Sequence, residues 1–308
     1  MEYISSSSFE LRDTCVTLGK FDGFHIGHRR LLAALAEEKR RSGCKSVVLA
    51  FDFRPDMFRG GNGYRLIYTE EEKKRLLADE GIDYFISYPV TQETSGTEAE
   101  EFILRVLAGQ LGARLIAVGE DNRFGHNRRG DVAMLRQFSA ECGFRVAAFQ
   151  KVRFGGEAVS STRIREELQR GNMEAANKML GAAYHVAGTV EHGRRLGRTL
   201  GFPTINVIPP EEKLLPPFGV YASVTELSGR RYAGVTNVGV RPTVGVQEQV
   251  WVENHLFDFR RECYGEQARI ELLHFLRPER SFADTEALRQ QLARDVAESR
   301  SFYKSSLP

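Results

Sequence analysis

The stretch Leu-Gly-Lys-Phe-Asp-Gly-Phe-His-Ile-Gly-His, from Leu18 to His28, lies between a predicted strand and a predicted helix. An α/β sheet binds its ligands at the carboxyl ends of its strands, which is where this stretch begins. Backbone N–H groups at the start of a helix attract phosphate. Gly23 and Gly27 leave the main chain open to an approaching polyphosphate. The stretch therefore predicts a phosphate site in an α/β domain.

Two histidines lie inside this stretch, His25 and His28, and their spacing of three places both imidazoles on one side of the first helical turn. Such a pair can donate hydrogen bonds to the charge that develops on an α-phosphate in a transition state. The alternative is two surface histidines near a helix cap. Within the glycine-spaced frame we favour the catalytic interpretation.

The sequence around this stretch alternates short apolar runs with helical patterns over the first half of the chain. Such alternation predicts a doubly wound α/β domain, with a parallel sheet covered on both faces. The predicted strands are residues 15–18, 46–51, 84–87 and 115–118, and the predicted helices are residues 29–41, 70–80, 98–111, 131–142 and 162–170.

Beyond Gly181 the pattern changes to short β-rich runs separated by glycine and proline. Frequent short strands without helices predict a small antiparallel β-barrel. A terminal helix over residues 284–301 has Leu288, Leu292 and Val296 four residues apart, so one of its faces should pack on the barrel. We place the domain boundary so that the two domains are residues 1–182 and 183–308.

The composition excludes several classes of protein. The 308 residues are 42% hydrophobic with a net charge of +2, which is ordinary for a soluble protein and implies no nucleic-acid partner. No apolar run is long enough to span a membrane, and the polar N-terminus does not resemble a signal peptide. The four cysteines have neither zinc-site nor disulfide-scaffold spacing. We therefore expect a cytoplasmic protein with no membrane partner, whose oligomeric state stays open.

A second polar cluster, Ser-Ser-Thr-Arg-Ile-Arg, begins at Ser160. Its hydroxyl groups can cap the free N–H groups of the following helix or bind phosphate oxygens, and its arginines add cationic groups. An ordinary helix start has the same composition. With the histidine pair elsewhere in the domain, we favour phosphate binding by Ser160, Ser161, Thr162, Arg163 and Arg165.

The second half contains a glycine-rich basic segment in which Gly193, Gly197 and Gly201 recur every four residues. This spacing fits a loop whose backbone N–H groups approach phosphates. Thr204 and Asn206 follow it, and in an extended segment they face the same way, so their oxygens could serve Mg²⁺ and a nucleotide. The alternative is a turn that is merely rich in glycine and proline.

Farther along, Glu253 and His255 alternate on one face of a predicted strand. A carboxylate there could accept a proton from a substrate hydroxyl as the hydroxyl attacks a γ-phosphate. The alternative is a charged, solvent-exposed strand face.

The first half resembles class I nucleotidylyltransferases, which have an HxGH signature. More closely, Gly-Lys-Phe-Asp-Gly-Phe-His-Ile-Gly-His and the Ser160 cluster resemble two motifs of bacterial bifunctional riboflavin kinase/FAD synthetases. The Gly119–Gly125 segment and the following Arg-Arg-Gly-Asp are similar to a third. The resemblance implies that FMN phosphate attacks the α-phosphate of ATP and releases pyrophosphate, with Mg²⁺ shielding the phosphates.

The resemblance also implies roles for individual residues of the first domain. His25 and His28 would be catalytic. Nucleotide-binding residues would be Gly19, Phe21, Asp22, Gly23 and Gly27 with the Ser160 cluster, and flavin-binding residues would be Asp52, Asn122, Arg123 and Phe124.

The second half resembles riboflavin kinase through Gly-Arg-Thr-Leu-Gly-Phe-Pro-Thr-Ile-Asn, the segments at 216–223 and 237–243, and Val-Glu-Asn-His-Leu-Phe-Asp-Phe from Val252. The resemblance implies Thr204 and Asn206 as Mg²⁺ ligands and Glu253 as the base for the riboflavin 5′-hydroxyl. It implies nucleotide contacts from Gly193, Gly197, Arg198, Gly201 and Asn206.

Three residues depart from the family patterns: Arg54 replaces a common histidine, and Glu120 and Asn122 replace expected phenylalanines. They lie in predicted ligand-contact loops, where they bear on affinity and flavin discrimination. Two alternatives stay open from the sequence. One is a nucleotidylyltransferase for another phosphate ester, and the other is a non-catalytic flavin- or nucleotide-binding regulator.

Overall fold

The chain folds into two units, Met1–Ser161 and Thr162–Pro308, each with its own six-stranded sheet. The computed structural model describes residues 1–52, 65–193, 196–241 and 249–306. The division falls earlier than the predicted domain boundary because a helix over Met173–Leu180 contacts strands of the second sheet.

The sheet of the first unit is parallel throughout, as the alternation of strands and helices predicts. Its central strands are apolar and almost continuously buried, which is the pattern of strands covered on both faces. The strands are Glu2–Ser5 (β1), Thr14–Gly19 (β2), Lys45–Asp52 (β3), Tyr84–Pro89 (β4), Ala113–Gly119 (β5) and Arg145–Phe149 (β6). Their order in the sheet is β1-β4-β3-β2-β5-β6.

Helices cover this sheet, and their ends follow from local side chains. The Thr69 hydroxyl and the Glu72 carboxylate form a reciprocal capping box, while Gly43 ends the first helix in a left-handed conformation with φ of 74°. The helices are Ile26–Ser42 (α1), Glu70–Asp79 (α2), Gln92–Ser95 (α3), Ala99–Glu101 (α4), which continues as a π-helix over Phe102–Gln110, and Val132–Cys142 (α5).

Two strands of this sheet were not predicted, β1 and β6. The first is short and mostly polar at its ends, and the second is only partly buried along its length, so neither gives a clear apolar run. A small hairpin of Arg153–Phe154 (β7) and Glu157–Ala158 (β8) follows β6. The residues in between turn through Gly155 and Gly156, both with positive φ.

The strand order reverses between β2 and β5, which pair side by side although they are far apart in sequence. In an open α/β sheet such a reversal leaves a crevice at the carboxyl ends of the two strands. The stretch that begins at Leu18 lies immediately after β2, and the Glu120–Gly125 segment lies immediately after β5. The topology therefore brings two of the predicted site segments to the same edge.

The sheet of the second unit is antiparallel throughout, with the order β10-β13-β12-β11-β14-β9. A bridge between Glu191 and Asn206 joins the chain beyond β9 to β10, so the sheet curls toward a barrel. The strands are Tyr184–Thr189 (β9), Ile205–Val207 (β10), Gly219–Leu227 (β11), Arg230–Arg241 (β12), Gln249–Leu256 (β13) and Gln267–Pro278 (β14).

Among the residues that the structure describes, the helices that belong mainly to this unit are Ser161–Gln169 (α6), Met173–Leu180 (α7), Leu196–Thr199 (α8) and Thr285–Ser306 (α9). The prediction that the terminal helix packs on the barrel is confirmed, since α9 contacts β11, β12 and β14. Val296 packs against the buried side chains of Val220, Val235 and Phe257. The short helix α8 was not predicted because it lies in the glycine-rich segment.

Candidate functional sites

A cleft of about 730 Å³ opens at the reversal point of the first sheet. It collects side chains from the loops after β2, β4, β5 and β6 and from the segment before α6. The predicted site residues that line it are Gly19, Phe21, His25, Gly27, His28, Asn122, Arg123, Phe124, Ser160 and Ser161.

The two histidines lie face to face at the start of α1. Their ring centroids are 3.7 Å apart with planes inclined by 13°. His25 is the N-cap of the helix, and its Nδ1 accepts a hydrogen bond from the backbone N–H of His28 at 3.3 Å. A Cβ atom on Gly27 would lie 3.0 Å from the His25 ring, so the glycine leaves space for this arrangement.

Burial keeps both imidazoles neutral. It lowers the pKa of His25 to about 4, against the opposing effects of a backbone hydrogen bond and of Asp22 and Asp121. Burial lowers the pKa of His28 well below its usual value, and the neighbouring His25 lowers it further. Because His25 Nδ1 accepts a hydrogen bond, the proton of its neutral ring is on Nε2. The His25 ring therefore offers an N–H donor at Nε2.

Asp22 and Gly23 do not line the cleft but shape the loop. The Asp22 side chain is buried, and its Oδ1 accepts a hydrogen bond from the Ile67 N–H at 3.0 Å. Gly23 has φ of 95° and would place a Cβ 3.0 Å from Ile67 Cδ1, so this position favours glycine on both counts. In this structure both residues hold the loop against the segment at Ile67.

The loop after β5 is tied to the end of β2. Asn122 Nδ2 donates a hydrogen bond to the Leu18 carbonyl at 3.0 Å, across the reversal point. The Phe124 ring is buried and packs 5.7 Å from the Phe102 ring. Arg123 is exposed and donates to the Asn122 carbonyl at 3.0 Å.

The Ser160 cluster divides at the unit boundary. Ser160 and Ser161 line the cleft, and the Ser161 hydroxyl donates a hydrogen bond to the Asp22 carbonyl. Thr162, Arg163 and Arg165 lie on α6 within the second unit and are not among the residues that line the cleft.

The predicted flavin-binding residue of β3 is not among the residues that line the cleft. Asp52 ends β3 and does not line the cleft, whereas Phe51 does. Arg54 lies outside the described residues.

An aromatic wall on one side of the cleft was missed by the sequence analysis. We define it as Phe51, Tyr88, Phe102 and Phe124, all of which line the cleft. The first three rings contact one another and the Phe124 ring contacts that of Phe102, with centroids 5.7–6.2 Å apart. They come from β3, β4, the π-helix and the loop after β5, so no local motif marks them. A flat apolar ligand would fit against such a surface.

A turn over residues 125–129 lines the cleft through its first four residues and contains two successive non-glycine residues with positive φ. Asn127 has φ of 52° and Arg128 has φ of 58°. Asparagine tolerates this conformation, but for arginine it costs about 1–3 kcal/mol. Gly125 begins the turn with φ of 70°, and a Cβ there would lie 2.6 Å from Ala99 Cα. Strain of this kind persists where the surrounding structure fixes it.

The second unit has a smaller cleft of about 300 Å³. The predicted residues Gly197, Thr204 and Glu253 line it together with Asn237 and His255. Glu253 is opposite Asn206 on β10 and opposite Asn237 on β12, so strand register places its carboxylate beside these amides.

Gly193, Arg198, Gly201 and Asn206 are not among the residues that line this cleft. Asn206 is only 4% exposed, and a Cβ on Gly193 would lie 2.5 Å from its Nδ2. Arg198 is exposed and 3.7 Å from Glu262. In this structure the buried Asn206 side chain therefore packs against Gly193 and supports the glycine-rich segment.

Glycine at 197 is required by a close backbone approach. The Phe202 N–H donates to the Gly197 carbonyl at 2.7 Å, and a Cβ on Gly197 would lie 2.3 Å from the Phe202 oxygen. Gly201 has φ of 87°, which completes the same turn. The turn directs the chain so that Thr204 reaches the cleft beside Glu253.

The wall formed by α9 was also missed. Leu288 and Leu292 line the cleft from α9, with Phe282 preceding the helix. Beside them Arg277 forms a double ion pair with the buried Asp295, at 2.9 and 2.6 Å. Such a bidentate pair fixes the position of α9 relative to β14.

His255 completes the cleft, and its Nδ1 lies 2.8 Å from the Pro203 carbonyl. Burial lowers the pKa of His255, against the opposing effect of this carbonyl. The His255 Nδ1 can therefore donate to Pro203 and hold the loop that precedes Thr204.

Two family models match the chain. The model of FAD synthetase matches residues 8–163, and the model of riboflavin kinase matches residues 180–303. The bifunctional riboflavin kinase/FMN adenylyltransferase of Escherichia coli (strain K12) is 37% identical over 301 residues, which is 96% of this chain and 95% of the relative. The protein of the same name from Pseudomonas fluorescens is 35% identical over 300 residues, covering 94% of this chain and 93% of the relative.

A solved structure described as a macrolide-efflux protein from Streptococcus pneumoniae has the same fold. Its TM-score is 0.85 at 26% identity, and the similarity covers 99% of both chains. In the part of this chain that the structure describes, no helix is both long and apolar enough to cross a bilayer. The two family matches and the full-length relatives agree with the two clefts, and the chain therefore belongs to the family of bifunctional riboflavin kinase/FMN adenylyltransferases.

Proposed function

We propose that the chain phosphorylates riboflavin to FMN with ATP in its second domain and adenylylates FMN to FAD in its first. The observation that carries this proposal is the stacked pair of neutral histidines at the helix start that borders a cleft with an aromatic wall. Such a cleft suits a polyphosphate at one end and a flat ring at the other. The barrel domain matched by the riboflavin kinase model would supply the FMN in the same polypeptide.

In the first domain, an oxygen of the FMN phosphate attacks the α-phosphorus of ATP. The bond from that phosphorus to the bridging oxygen breaks, and pyrophosphate leaves. His25, protonated at Nε2, and His28 would donate hydrogen bonds to the oxygens on which charge develops. Because burial keeps both rings neutral, each ring has one N–H that can donate. The protein contributes alignment and charge stabilisation without a covalent intermediate.

In the second domain, Glu253 would accept the proton of the riboflavin 5′-hydroxyl as its oxygen attacks the γ-phosphorus of ATP. The bond to ADP breaks, and ADP leaves. Gly197 allows the tight turn that brings Thr204 to the cleft, and the apolar residues of α9 would cover the flavin ring.

Mg²⁺ is part of this proposal, and Thr204 and Asn206 are the residues that would hold it. Thr204 and Glu253 line one cleft and present the oxygen donors that Mg²⁺ prefers. Over the described residues no group of three or more His, Cys, Asp or Glu side chains is arranged to hold a metal. This fits an ion bound mainly by substrate phosphates. When bound, Mg²⁺ would neutralise phosphate charge during transfer.

We assign adenylylation to residues 1–182 and phosphorylation to residues 183–308. The order of the two family matches, residues 8–163 and 180–303, supports this assignment. We also place the protein in the cytoplasm. All four of its cysteines are free, as expected in a reducing compartment.

The experiment that tests the proposal follows riboflavin, ATP and Mg²⁺ with the purified protein by chromatography. FMN should accumulate first and FAD afterwards. Failure to form either product would overturn the proposal in favour of a non-catalytic binding protein. FMN without FAD would confine the error to the first domain, and supplying other phosphate esters as acceptors would then test the alternative transferase.

A further inference from the structure

The turn over residues 125–129 is held rigidly in its strained form. The backbone N–H of His126 donates to the Thr97 carbonyl at 2.8 Å. Its ring Nδ1 lies 3.1 Å from the Ser95 carbonyl, and its Nε2 lies 2.9 Å from Asn127 Nδ2. One tautomer satisfies both contacts, because Nδ1–H donates to Ser95 while Nε2 accepts from Asn127. The imidazole therefore fixes Asn127 and, through it, the direction of Arg128.

Arg128 differs in its electrostatic environment from Lys151 and Arg129, two cations nearby, whereas Arg123 on the same cleft donates only to a backbone carbonyl. Lys151 on the same cleft is 2.8 Å from Asp121, and Arg129 on the same turn is 3.8 Å from Glu98. The Arg128 guanidinium forms no hydrogen bond or ion pair with any residue in the described ranges, yet Arg128 lines the cleft. The strained turn therefore presents an uncompensated cation to whatever the cleft binds.

Arg128 and the aromatic wall line the same cleft, so one ligand can contact both. Phe124 of the wall lies on the same loop as the turn, and its backbone pairs with Gly130 on the far side of the turn. A flavin ring against the wall would therefore have Arg128 near one of its ends. Riboflavin and FMN share the ring, and only FMN adds a dianionic phosphate. A guanidinium binds phosphate through two parallel N–H donors.

We propose that Arg128 binds the phosphate of FMN in the first-domain cleft and selects the phosphorylated flavin as acceptor. The inference rests on the proposed adenylylation of FMN. The fixed backbone sets the direction in which the Arg128 side chain leaves the turn before the ligand arrives.

Three variants test this inference. Arg128→Asn removes the charge but tolerates the left-handed backbone, Arg128→Lys keeps the charge, and Arg129→Asn is the matched control on the same turn. The KM for FMN should rise about ten- to hundredfold in Arg128→Asn. In Arg128→Lys the KM for FMN should rise less, because the charge is kept. The KM for ATP and the rate of riboflavin phosphorylation should stay within twofold, and Arg129→Asn should resemble the unaltered protein.

Lumiflavin, which has the ring but no phosphate, distinguishes phosphate recognition from ring recognition. As a competitive inhibitor of FMN adenylylation it should inhibit Arg128→Asn and the unaltered protein equally. If its inhibition weakens as much as FMN binding does, Arg128 contacts the ring and the proposal is wrong. An unchanged KM for FMN, or an increase for ATP alone, would also overturn it.

A second measurement needs no variant and so does not depend on folding. An arginine-specific dicarbonyl reagent is applied to the unaltered protein, and Arg128 modification is followed by peptide mapping. FMN should protect Arg128 and lumiflavin should not. Equal protection, or none, contradicts the inference. If the unaltered protein forms no FAD from FMN and ATP, the proposed function has failed, whereas FAD formation without Arg128 dependence rejects this inference alone.

Discussion

The cleft of the first unit gathers its side chains from loops, whereas the cleft of the second gathers them largely from neighbouring strands. In the first, β2 and β5 end at the same edge of a parallel sheet, so segments a hundred residues apart meet there. In the second, antiparallel register sets Glu253 beside Asn206 and Asn237. The first site therefore depends on connections between loops, and the second on strand register and one tight glycine turn.

The largest expected effect is on the second site. Glu253→Ala should reduce riboflavin phosphorylation by about 10²–10⁴-fold, because the general base is lost, and should leave FMN adenylylation unchanged. Steady-state assays of FMN and FAD formation measure both activities. Glu226→Ala on β11, which does not line the cleft, is the matched control. A Glu253→Ala protein with normal kinase activity would remove this residue from the mechanism.

His28→Ala should have the reverse effect. Adenylylation should fall about 10²–10³-fold, because a donor to the developing charge is lost, while phosphorylation continues. The retained kinase activity serves as the folding control for the second unit, and a circular dichroism spectrum serves for the first. Loss of both activities with an intact spectrum would show that the two sites are not independent.

The partly buried histidines also predict a pH dependence of stability. An unfolded histidine has a pKa near 6.5, whereas that of folded His25 is about 4, so the unfolded state binds more protons between these values. The contribution of His25 to the free energy of unfolding is fully present above pH 6.5. It is lost as pH falls toward 4, and the loss is at most about 3 kcal/mol. Denaturant titrations at several pH values give the free energy of unfolding of the unaltered protein and of His25→Asn. This free energy should depend less steeply on pH in the variant. Parallel curves would contradict the assignment.

Gly197→Ala should have a smaller effect, confined to the second unit. The added Cβ would meet the Phe202 carbonyl oxygen at 2.3 Å, so the turn must shift. We expect a loss of about 1–3 kcal/mol in stability and a raised KM for riboflavin or ATP, with adenylylation unaffected. Thermal unfolding and kinase assays measure these changes. Gly96→Ala, where the nearest atoms are at 3.5 Å, is the control and should be neutral.

The sequence predicted the strand–helix alternation, the antiparallel sheet and the packing of α9, because each leaves a local periodic pattern. It also identified segments that the structure brings to one cleft, namely those containing His25, Asn122 and Ser160. Their catalytic and binding roles stay predictions. Motif spacing identified these segments, although it says nothing about which side chains face the cleft.

The aromatic wall and the turn at Arg128 could not be predicted in the same way. Phe51, Tyr88 and Phe102 are ordinary core residues in sequence, and only the fold brings them together around the cleft. Left-handed backbone at Arg128 leaves no signal, because arginine rarely adopts it. Asn206 shows the opposite difficulty, since its motif suggested a cleft residue but its side chain is buried behind Gly193.

Helix α7 determines where the barrel could be excised as a separate protein. Its Asn177 accepts from the Tyr184 N–H at 2.7 Å and donates to the Leu272 carbonyl at 3.0 Å. Its buried face, Met173, Ala176, Met179 and Leu180, would be removed by cleavage before residue 183. Apolar side chains that pack against this face would become exposed, at a cost of about 25 cal/mol for each Å². A stable excised barrel should therefore begin ahead of Met173, so the smallest independent folding unit is longer than the segment that resembles a kinase.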